Sequence, residues 1–73
     1  MTTIEIELDG NETTQDLANS DLFKCEVEVT FPNGGTCYGK WINVRQTKVA
    51  LSVYIEKIGW IGPIISGTRI RRA

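Results

Sequence analysis

The chain has 73 residues, which is enough for a single domain over residues 1–73 and leaves no room for a second hydrophobic core. Hydrophobic residues make up 41% of the sequence and charged residues 23%, proportions that argue against a disordered chain. A domain of this size buries only about 60% of the surface that its unfolded chain exposes, so we expect self-association as one route to stability.

The charge distribution is strongly asymmetric, although the net charge is only −1. Residues 1–31 contain eight acidic residues and one basic residue, which gives −7. Residues 32–73 contain seven basic residues and one acidic residue, which gives +6. Such a split predicts either a charged surface that binds a partner or two halves of one fold that neutralise each other.

The sequence begins without a basic segment followed by an apolar run, so it predicts no signal peptide. Its longest apolar-rich stretches, residues 49–55 and 58–65, are too short and too interrupted to cross a bilayer. Two cysteines without an export signal indicate a cytoplasmic protein with reduced thiols.

The first predicted element in chain order is a strand over residues 3–8. Ile4, Ile6 and Leu8 alternate with two glutamates, and a period of two residues is typical of a strand with one solvated face. Turn-forming residues follow at positions 9–11 and end the strand.

A short helix is predicted within residues 12–23, and no other segment has a helical pattern. Thr13 or Asn11 would cap its N-terminus. We expect two or three turns at most, because polar turn residues follow. The apolar stripe of this helix consists of Leu17, Ala18 and Leu22.

A β-hairpin is predicted next, with strands at residues 24–31 and 36–44. Asn33 and Gly34 lie between them, and this dipeptide accepts the positive φ angles that a tight turn requires. With a glycine bulge in the loop, Cys37 points inward with the valines of the first strand. The predicted register pairs Glu28 with Lys40, Val29 with Gly39 and Val27 with Trp41.

The predicted hairpin separates the two cysteines. Cys25 and Cys37 would lie about six strand positions apart, which is roughly 20 Å. A disulfide requires Cα atoms within about 7 Å of each other. We therefore interpret both cysteines as small buried or half-buried apolar residues with free thiols.

The clearest strand pattern covers residues 49–55. Glycines and a proline at 58–67 predict a kinked strand or a broad loop, and a short strand follows at 68–72. The predicted inward face of the strand at 49–55 consists of Val49, Leu51, Val53 and Ile55, and the opposite face of Ala50, Ser52, Tyr54 and Glu56.

These elements predict a mostly β domain (α+β with one short helix) that has five to six strands. Two architectures fit the pattern: a small SH3-like or Sm-like β-barrel, or a strongly bent antiparallel sheet. The order of a helix, a strand, an Asn-Gly turn and a glycine-bearing second strand resembles the layout of Sm-like and other SH3-like barrels over residues 13–72. The strand at 3–8 departs from the Sm pattern.

Charge determines where we expect the N-terminal strand to pair. Beside the first strand of the hairpin, its glutamates would stack against other glutamates, which destabilises a sheet. Beside the last strand, Glu5 and Glu7 would face Arg69 and Arg71, with Ile70 aligned on the inner face. We therefore predict that the two terminal strands are neighbours, within one chain or between two.

The residue types on which most catalysis depends are missing from the sequence. It contains no histidine, the commonest general base and zinc ligand, and two cysteines twelve positions apart do not form a zinc site by themselves. No glycine-rich phosphate loop or nucleophile motif occurs. We therefore expect no enzymatic activity, no cofactor and no metal.

We favour a stoichiometric protein-binding module as the function, comparable to the small inhibitors and accessory or adaptor proteins of phages and mobile elements. Its contact surfaces would be an acidic N-terminal face and an apolar segment around Trp60. The competing interpretation of Trp60 is that it covers the open end of a barrel. The candidate protein-binding residues are Glu26, Glu28, Trp60, Ile61 and Ile64.

The alternative function is that of a small nucleic-acid-binding barrel, in which arginines grip phosphates and aromatic rings stack on bases. We rank it second, because the chain is net acidic and its arginines are expected to be neutralised internally. We expect no membrane partner. The candidate nucleic-acid-binding residues are Arg45, Lys48, Arg69, Arg71 and Arg72, with Tyr38 or Trp41 as a stacking platform.

Overall fold

A computed structural model of the chain describes residues 5–48 and 50–73. Ile4 and Val49, which the sequence pattern assigns to strands, lie outside the described residues. The prediction of a mostly β fold with one short helix is confirmed. In chain order the elements are β1 (Glu5–Leu8), α1 (Thr14–Ala18), β2 (Glu26–Thr30), β3 (Thr36–Gln46), β4 (Leu51–Ile55), β5 (Gly59–Ile61) and β6 (Thr68–Arg72).

The six strands form one antiparallel sheet in the order β1-β6-β2-β3-β4-β5. β3 has 11 residues, so its first half pairs with β2 and its second half pairs with β4. The register shifts between Trp41 and Asn43, and such an irregularity bends a strand. Among the described residues β1 and β5 do not pair with each other, so closure into a barrel is not confirmed.

β6 connects the N-terminal strand to the rest of the sheet. Ile70 lies opposite Ile6 of β1 on one side and opposite Val29 of β2 on the other. The predicted pairing of the two terminal strands is therefore confirmed, and it occurs within one chain. Its charged pairs are Glu5 with Arg71 and Glu7 with Arg69.

The predicted register of the β2–β3 hairpin is wrong by two residues. The loop is tighter than expected, because Phe31 N donates to Gly35 O at 2.8 Å and leaves only residues 32–34 between them. A shift of two residues keeps each side chain on its predicted face, and the valines of β2 are buried with Trp41. The observed pairs are Val27 with Gly39, Glu28 with Tyr38 and Val29 with Cys37.

The helix α1 is shorter than predicted. Thr13 is its N-cap, and Thr13 and Asp16 form a capping box in which each side chain accepts from the backbone N–H of the other. Leu17 and Leu22 are buried as expected, but Leu22 reaches the core from the turns that follow the helix. Ala18 is exposed, because the helix ends at this residue and no further turn directs it inward.

The core lies on the inner face of the bent sheet and centres on Trp41, which is fully buried. Phe23 packs edge-on against the Trp41 ring, with the ring centroids 5.1 Å apart. Sequence periodicity identified most of this core, because the strand residues alternate between its two faces. The buried apolar residues are Leu8, Leu17, Leu22, Val27, Val29, Trp41, Leu51, Val53, Ile55, Ile64 and Ile70.

The segment after β5 continues beside β4. Ile64 N donates to Leu51 O at 2.8 Å, and a Cβ atom at Gly62 would overlap the Ser52 hydroxyl. Ser52 is therefore buried, although it lies on the face of β4 opposite to Val53. The absence of a side chain at residue 62 allows this close approach.

We predict that Gly39→Ala destabilises the fold by about 1–3 kcal/mol, the usual cost of overpacking. The added Cβ would overlap Ile55 Cγ2 and lie 3.2 Å from Glu56 O, and the backbone atom has no rotamer by which to move away. Gly35→Ala is the matched control, because its closest contact would be the side chain of Asn33 in the exposed hairpin loop. Urea unfolding of both variants measures the difference, and equal stabilities would contradict the close packing at Gly39.

Candidate functional site

The charged residues of both halves of the sequence meet on the outer face of the sheet. Arg69 Nε lies 3.7 Å from a carboxylate oxygen of Glu7, and Arg71 Nε lies 3.7 Å from one of Glu28. Arg71 faces acidic residues on both neighbouring strands, because Glu5 lies opposite it on β1. Two acidic residues of the first half of the sequence are thus paired with two basic residues of the second half.

This arrangement changes both predicted charged surfaces. Glu26 lies opposite Lys40 on β3, and Glu28 is paired with Arg71, so the predicted acidic face contains both signs of charge. Arg69 is paired as well, so Arg69 and Arg71 each already have a carboxylate neighbour. Each of these exposed ion pairs contributes little to stability by itself, typically about 0–1 kcal/mol.

Tyr38 extends this charged row onto β3 and is well exposed. The hydrogen bond of its hydroxyl with Glu28, together with the negative charge of that carboxylate, raises the pKa of Tyr38. Slight burial acts in the same direction, and the nearby positive charge of Arg71 opposes it. The phenol therefore remains a hydrogen-bond donor to Glu28 beyond its ordinary pH range.

Arg72, which the sequence groups with the other arginines, points to the other side of the sheet. Its Nη1 donates to Cys25 Sγ at 3.5 Å, and its buried Nε has no hydrogen-bond partner among the described residues. Cys25 O accepts from Trp41 N at 3.0 Å, which places Cys25 four positions along β3 from Cys37. Both thiols are free, and burial raises the pKa of Cys37.

Trp60 lies on the edge strand β5 and forms a cluster with one residue of β4 and one of β3. The Arg45 guanidinium carbon lies 4.3 Å from the centroid of the Trp60 ring. Tyr54, directly opposite on β4, contacts the same ring edge-on at 5.2 Å. We call these three residues the Trp60 cluster. They hold the indole in place while 39% of Trp60 remains exposed.

The apolar segment around Trp60 divides into buried and exposed residues. Ile64 is only 3% exposed and belongs to the core, so its side chain is not available to a partner. Ile61 is half-buried and packs against the core. Ile58 and Ile65, at 51% and 52%, are the exposed isoleucines of this region. Sequence reasoning missed them because glycines and a proline interrupt the periodicity there.

Two of the residues proposed for nucleic-acid binding occupy unrelated positions. Trp41 is fully buried, and its indole N–H donates to Asn43 O at 3.0 Å, so it cannot stack on a base. Lys48 is exposed in the turn between β3 and β4. Tyr38 lies on the charged outer face and Arg45 on the Trp60 ring, so the proposed set does not form one surface.

A shallow groove of about 380 Å³ lies between β1 and α1. Its apolar lining comes from Ile6, Leu8 and Leu17, and no basic residue lines it among the described residues. We call it the acidic groove, after the acidic residues in its lining. They are Glu7, Glu12, Asp16 and Asp21.

No group of three or more potential metal ligands occurs in the described part of the chain. None of the helical segments within residues 5–48 and 50–73 is long and apolar enough to cross a membrane.

We predict that Tyr38 titrates above its usual pKa of about 10 and that Glu28→Gln lowers this pKa. The neutral amide removes the charge that disfavours the phenolate. Ultraviolet absorbance in a Tyr54→Phe background measures Tyr38 alone, because the chain has only two tyrosines. The pKa of Tyr38 is higher in the folded state than in the unfolded state, so the hydrogen bond of Tyr38 with Glu28 stabilises the fold fully below the unfolded-state pKa. This stabilisation is lost as the pH rises through the folded-state pKa.

Glu26→Gln is the matched control for this titration, because Glu26 lies opposite Lys40 and not opposite Tyr38. A Tyr38 pKa that responds equally to both substitutions would contradict the specific hydrogen bond.

The chain was compared with known proteins at three levels. No protein-family model matches it, and neither the curated proteins nor the solved structures contain a match.

Proposed function

We propose that this protein is a non-enzymatic, stoichiometric protein-binding module that binds its partner through the edge strand β5. The observation that carries the proposal is the exposed Trp60 on a strand whose outer edge is unpaired among the described residues. Exposed Ile58 precedes this strand and exposed Ile65 follows it. Apolar side chains concentrated at one edge of a domain are typical of protein-binding surfaces.

An unpaired edge binds an extended peptide by strand addition. The backbone N–H and C=O groups of β5 supply the hydrogen bonds, and side chains on alternate positions supply specificity. Trp60 suits this role because Arg45 and Tyr54 already hold its ring. A side chain that is ordered before binding loses less conformational entropy on binding, which favours affinity.

The acidic N-terminal face contributes less to this proposal than the sequence suggested. Glu28 is paired with Arg71, and Glu26 faces Lys40, so neither offers an unbalanced charge to a partner. The contact surface that we propose is therefore β5 with its flanking isoleucines. A small protein that covers a partner's surface in this way would act as an inhibitor or an accessory protein.

Nucleic-acid binding is the second candidate and has weaker support. Arg69 and Arg71 are already paired with acidic residues, and Arg72 contacts Cys25. Arg45 and Lys48 remain, which is a small basic surface for a polyanion because affinity grows with the number of phosphates contacted.

We also propose that β2–β6 and α1 form an incompletely closed SH3-like or Sm-like barrel, with the gap between β5 and the opposite side of the sheet. The bend of β3 and the antiparallel pairing of β2 with β6 support this arrangement. β1 is an addition that pairs with the outer side of β6. In this arrangement β5 is the edge that remains for a partner.

We predict that Trp60→Ala abolishes partner capture, because truncation of a central aromatic anchor typically costs about 2–4 kcal/mol of binding free energy. Tyr38→Ala is the matched control, since Tyr38 is also an exposed aromatic residue but lies on the charged outer face. The unmodified chain and the two variants serve as baits for affinity capture from the source lysate, and mass spectrometry quantifies the captured proteins. The expected partner is a protein that Trp60→Ala loses and Tyr38→Ala retains. Equal capture by both variants would exclude β5 as the contact surface.

We predict no steeply salt-dependent binding to short single-stranded or duplex oligonucleotides. Two of the arginines that would release counterions, Arg69 and Arg71, are already paired with glutamates. A fluorescence-anisotropy titration between about 50 and 200 mM salt measures this. Micromolar binding that weakens steeply over this range would favour the nucleic-acid alternative.

A further inference from the structure

The sheet has two unpaired edges among the described residues, β1 and β5, and their surroundings differ in charge. β1 carries Glu5 and Glu7, and the acidic groove runs beside it. Although Glu7 is paired with Arg69, Glu12, Asp16 and Asp21 have no basic residue beside them in the groove lining. The groove between β1 and α1 is therefore acidic, whereas Glu5 lines a second groove with Arg71 and Arg72 and forms no short ion pair among the described residues.

The surroundings of β5 are basic. The Arg45 guanidinium lies over the Trp60 ring. Arg45 forms no ion pair with a described residue, because the short ion pairs among them involve only Arg69 and Arg71. Lys57 lies in the turn that leads into β5, next to Glu56. Lys48 lies beyond the opposite end of β4, in the turn after β3, so the basic charge beside Trp60 itself comes from Arg45.

From this complementarity we infer that the chain self-associates head to tail, with β5 of one copy pairing with β1 of the next. The inference rests on the proposed role of β5 as the binding edge and identifies its occupant. β1 has the sequence Glu-Ile-Glu-Leu, in which acidic side chains on the outer face alternate with apolar side chains on the inner face. A strand of this pattern matches an edge that presents Arg45 and Trp60.

The faces of the two strands agree in such a pairing. Trp60 pairs with Tyr54 on β4, and Tyr54 lies on the face opposite to that of buried Val53. Trp60 therefore lies on the outer face of the sheet. Glu5 of the next copy is also on the outer face, so a continuous sheet would place it beside the Trp60 cluster. Opposite charges on neighbouring strands stabilise a sheet, and the guanidinium would then lie between an aromatic ring and a carboxylate.

Symmetric pairing is disfavoured by the same charges. Two β5 edges would bring two copies of Arg45 together, and two β1 edges would bring two acidic grooves together. Like charges on neighbouring strands destabilise a sheet. A head-to-tail contact is heterologous, so the assembly forms either a closed ring or an open chain of copies.

The strands are short, with three residues in β5 and four in β1, so each contact is expected to be weak. We expect the mass-average size to rise with concentration through the micromolar range and to fall when salt is raised from about 50 to 500 mM. Sedimentation velocity and light scattering on the full chain measure this. A monomer at every concentration in low salt would overturn the inference.

Charge reversal tests the predicted contact directly. Arg45→Glu and Glu5→Lys should each weaken self-association about tenfold or more, because each places like charges across the contact. Arg71 keeps Glu28 as its partner in Glu5→Lys, so the fold should survive, which circular dichroism verifies. An equimolar mixture of the two variants should associate again, since the glutamate introduced into one copy then faces the lysine introduced into the other. Failure of the mixture to associate would overturn the head-to-tail contact.

Lys24→Glu is the matched control for Arg45→Glu, because it makes the same change in net charge at an exposed residue outside both edges. This variant should associate as strongly as the unmodified chain. If it lost self-association as much as Arg45→Glu does, association would depend on net charge alone, which would overturn the inference. Failure of self-association leaves the proposed function intact if Trp60 is still required to capture another protein. Loss of both would remove β5 as a binding edge.

Discussion

The fold depends on β6 lying between β1 and β2. Its central residue Ile70 is fully buried and faces Ile6 on one side and Val29 on the other. On the outer face, Arg69 and Arg71 separate the glutamates of β1 from those of β2, which would repel each other if the strands were neighbours. One strand thus completes the core and forms ion pairs with two of the eight acidic residues of the first half of the sequence. Exposed ion pairs contribute little free energy, so burial of Ile70 supplies most of the stabilisation that β6 gives the fold. The charges select which strands lie beside β6.

This use of the arginines has a functional consequence. Arg69 and Arg71 each lie 3.7 Å from a glutamate, so a phosphate would have to compete with that carboxylate for them. The charged outer face is therefore a structural element, and the unbalanced features of the molecule lie at the two ends of the sheet. One end carries Trp60 with Arg45, and the other carries the acidic groove. We propose a protein partner or a second copy as the ligand of such edges, because an unpaired strand offers backbone hydrogen bonds in a row.

Much of the fold follows from local sequence patterns. Alternation identified the buried faces of β2 and β4, Thr13 was one of the two candidate N-caps, and the Asn-Gly dipeptide marked the hairpin loop. The hairpin register was wrong by two residues because it depends on how the loop closes, which residue identities do not specify. The faces were still correct, since a shift of two residues returns each side chain to the same side.

By itself, the sequence determined where five of the six strands lie, which side of each of these five is apolar and, through the charges of Glu5, Glu7, Arg69 and Arg71, that the terminal strands pair. These properties depend on short periodicities and on complementarity between whole strands. Only the tertiary structure decided that the sheet stays open, that Ile64 is buried while Ile58 and Ile65 are exposed, and that Arg45 lies on Trp60. Those contacts join residues far apart in the chain across a bent β3 and an irregular segment after β5. Their geometry follows from backbone paths that no local pattern encodes.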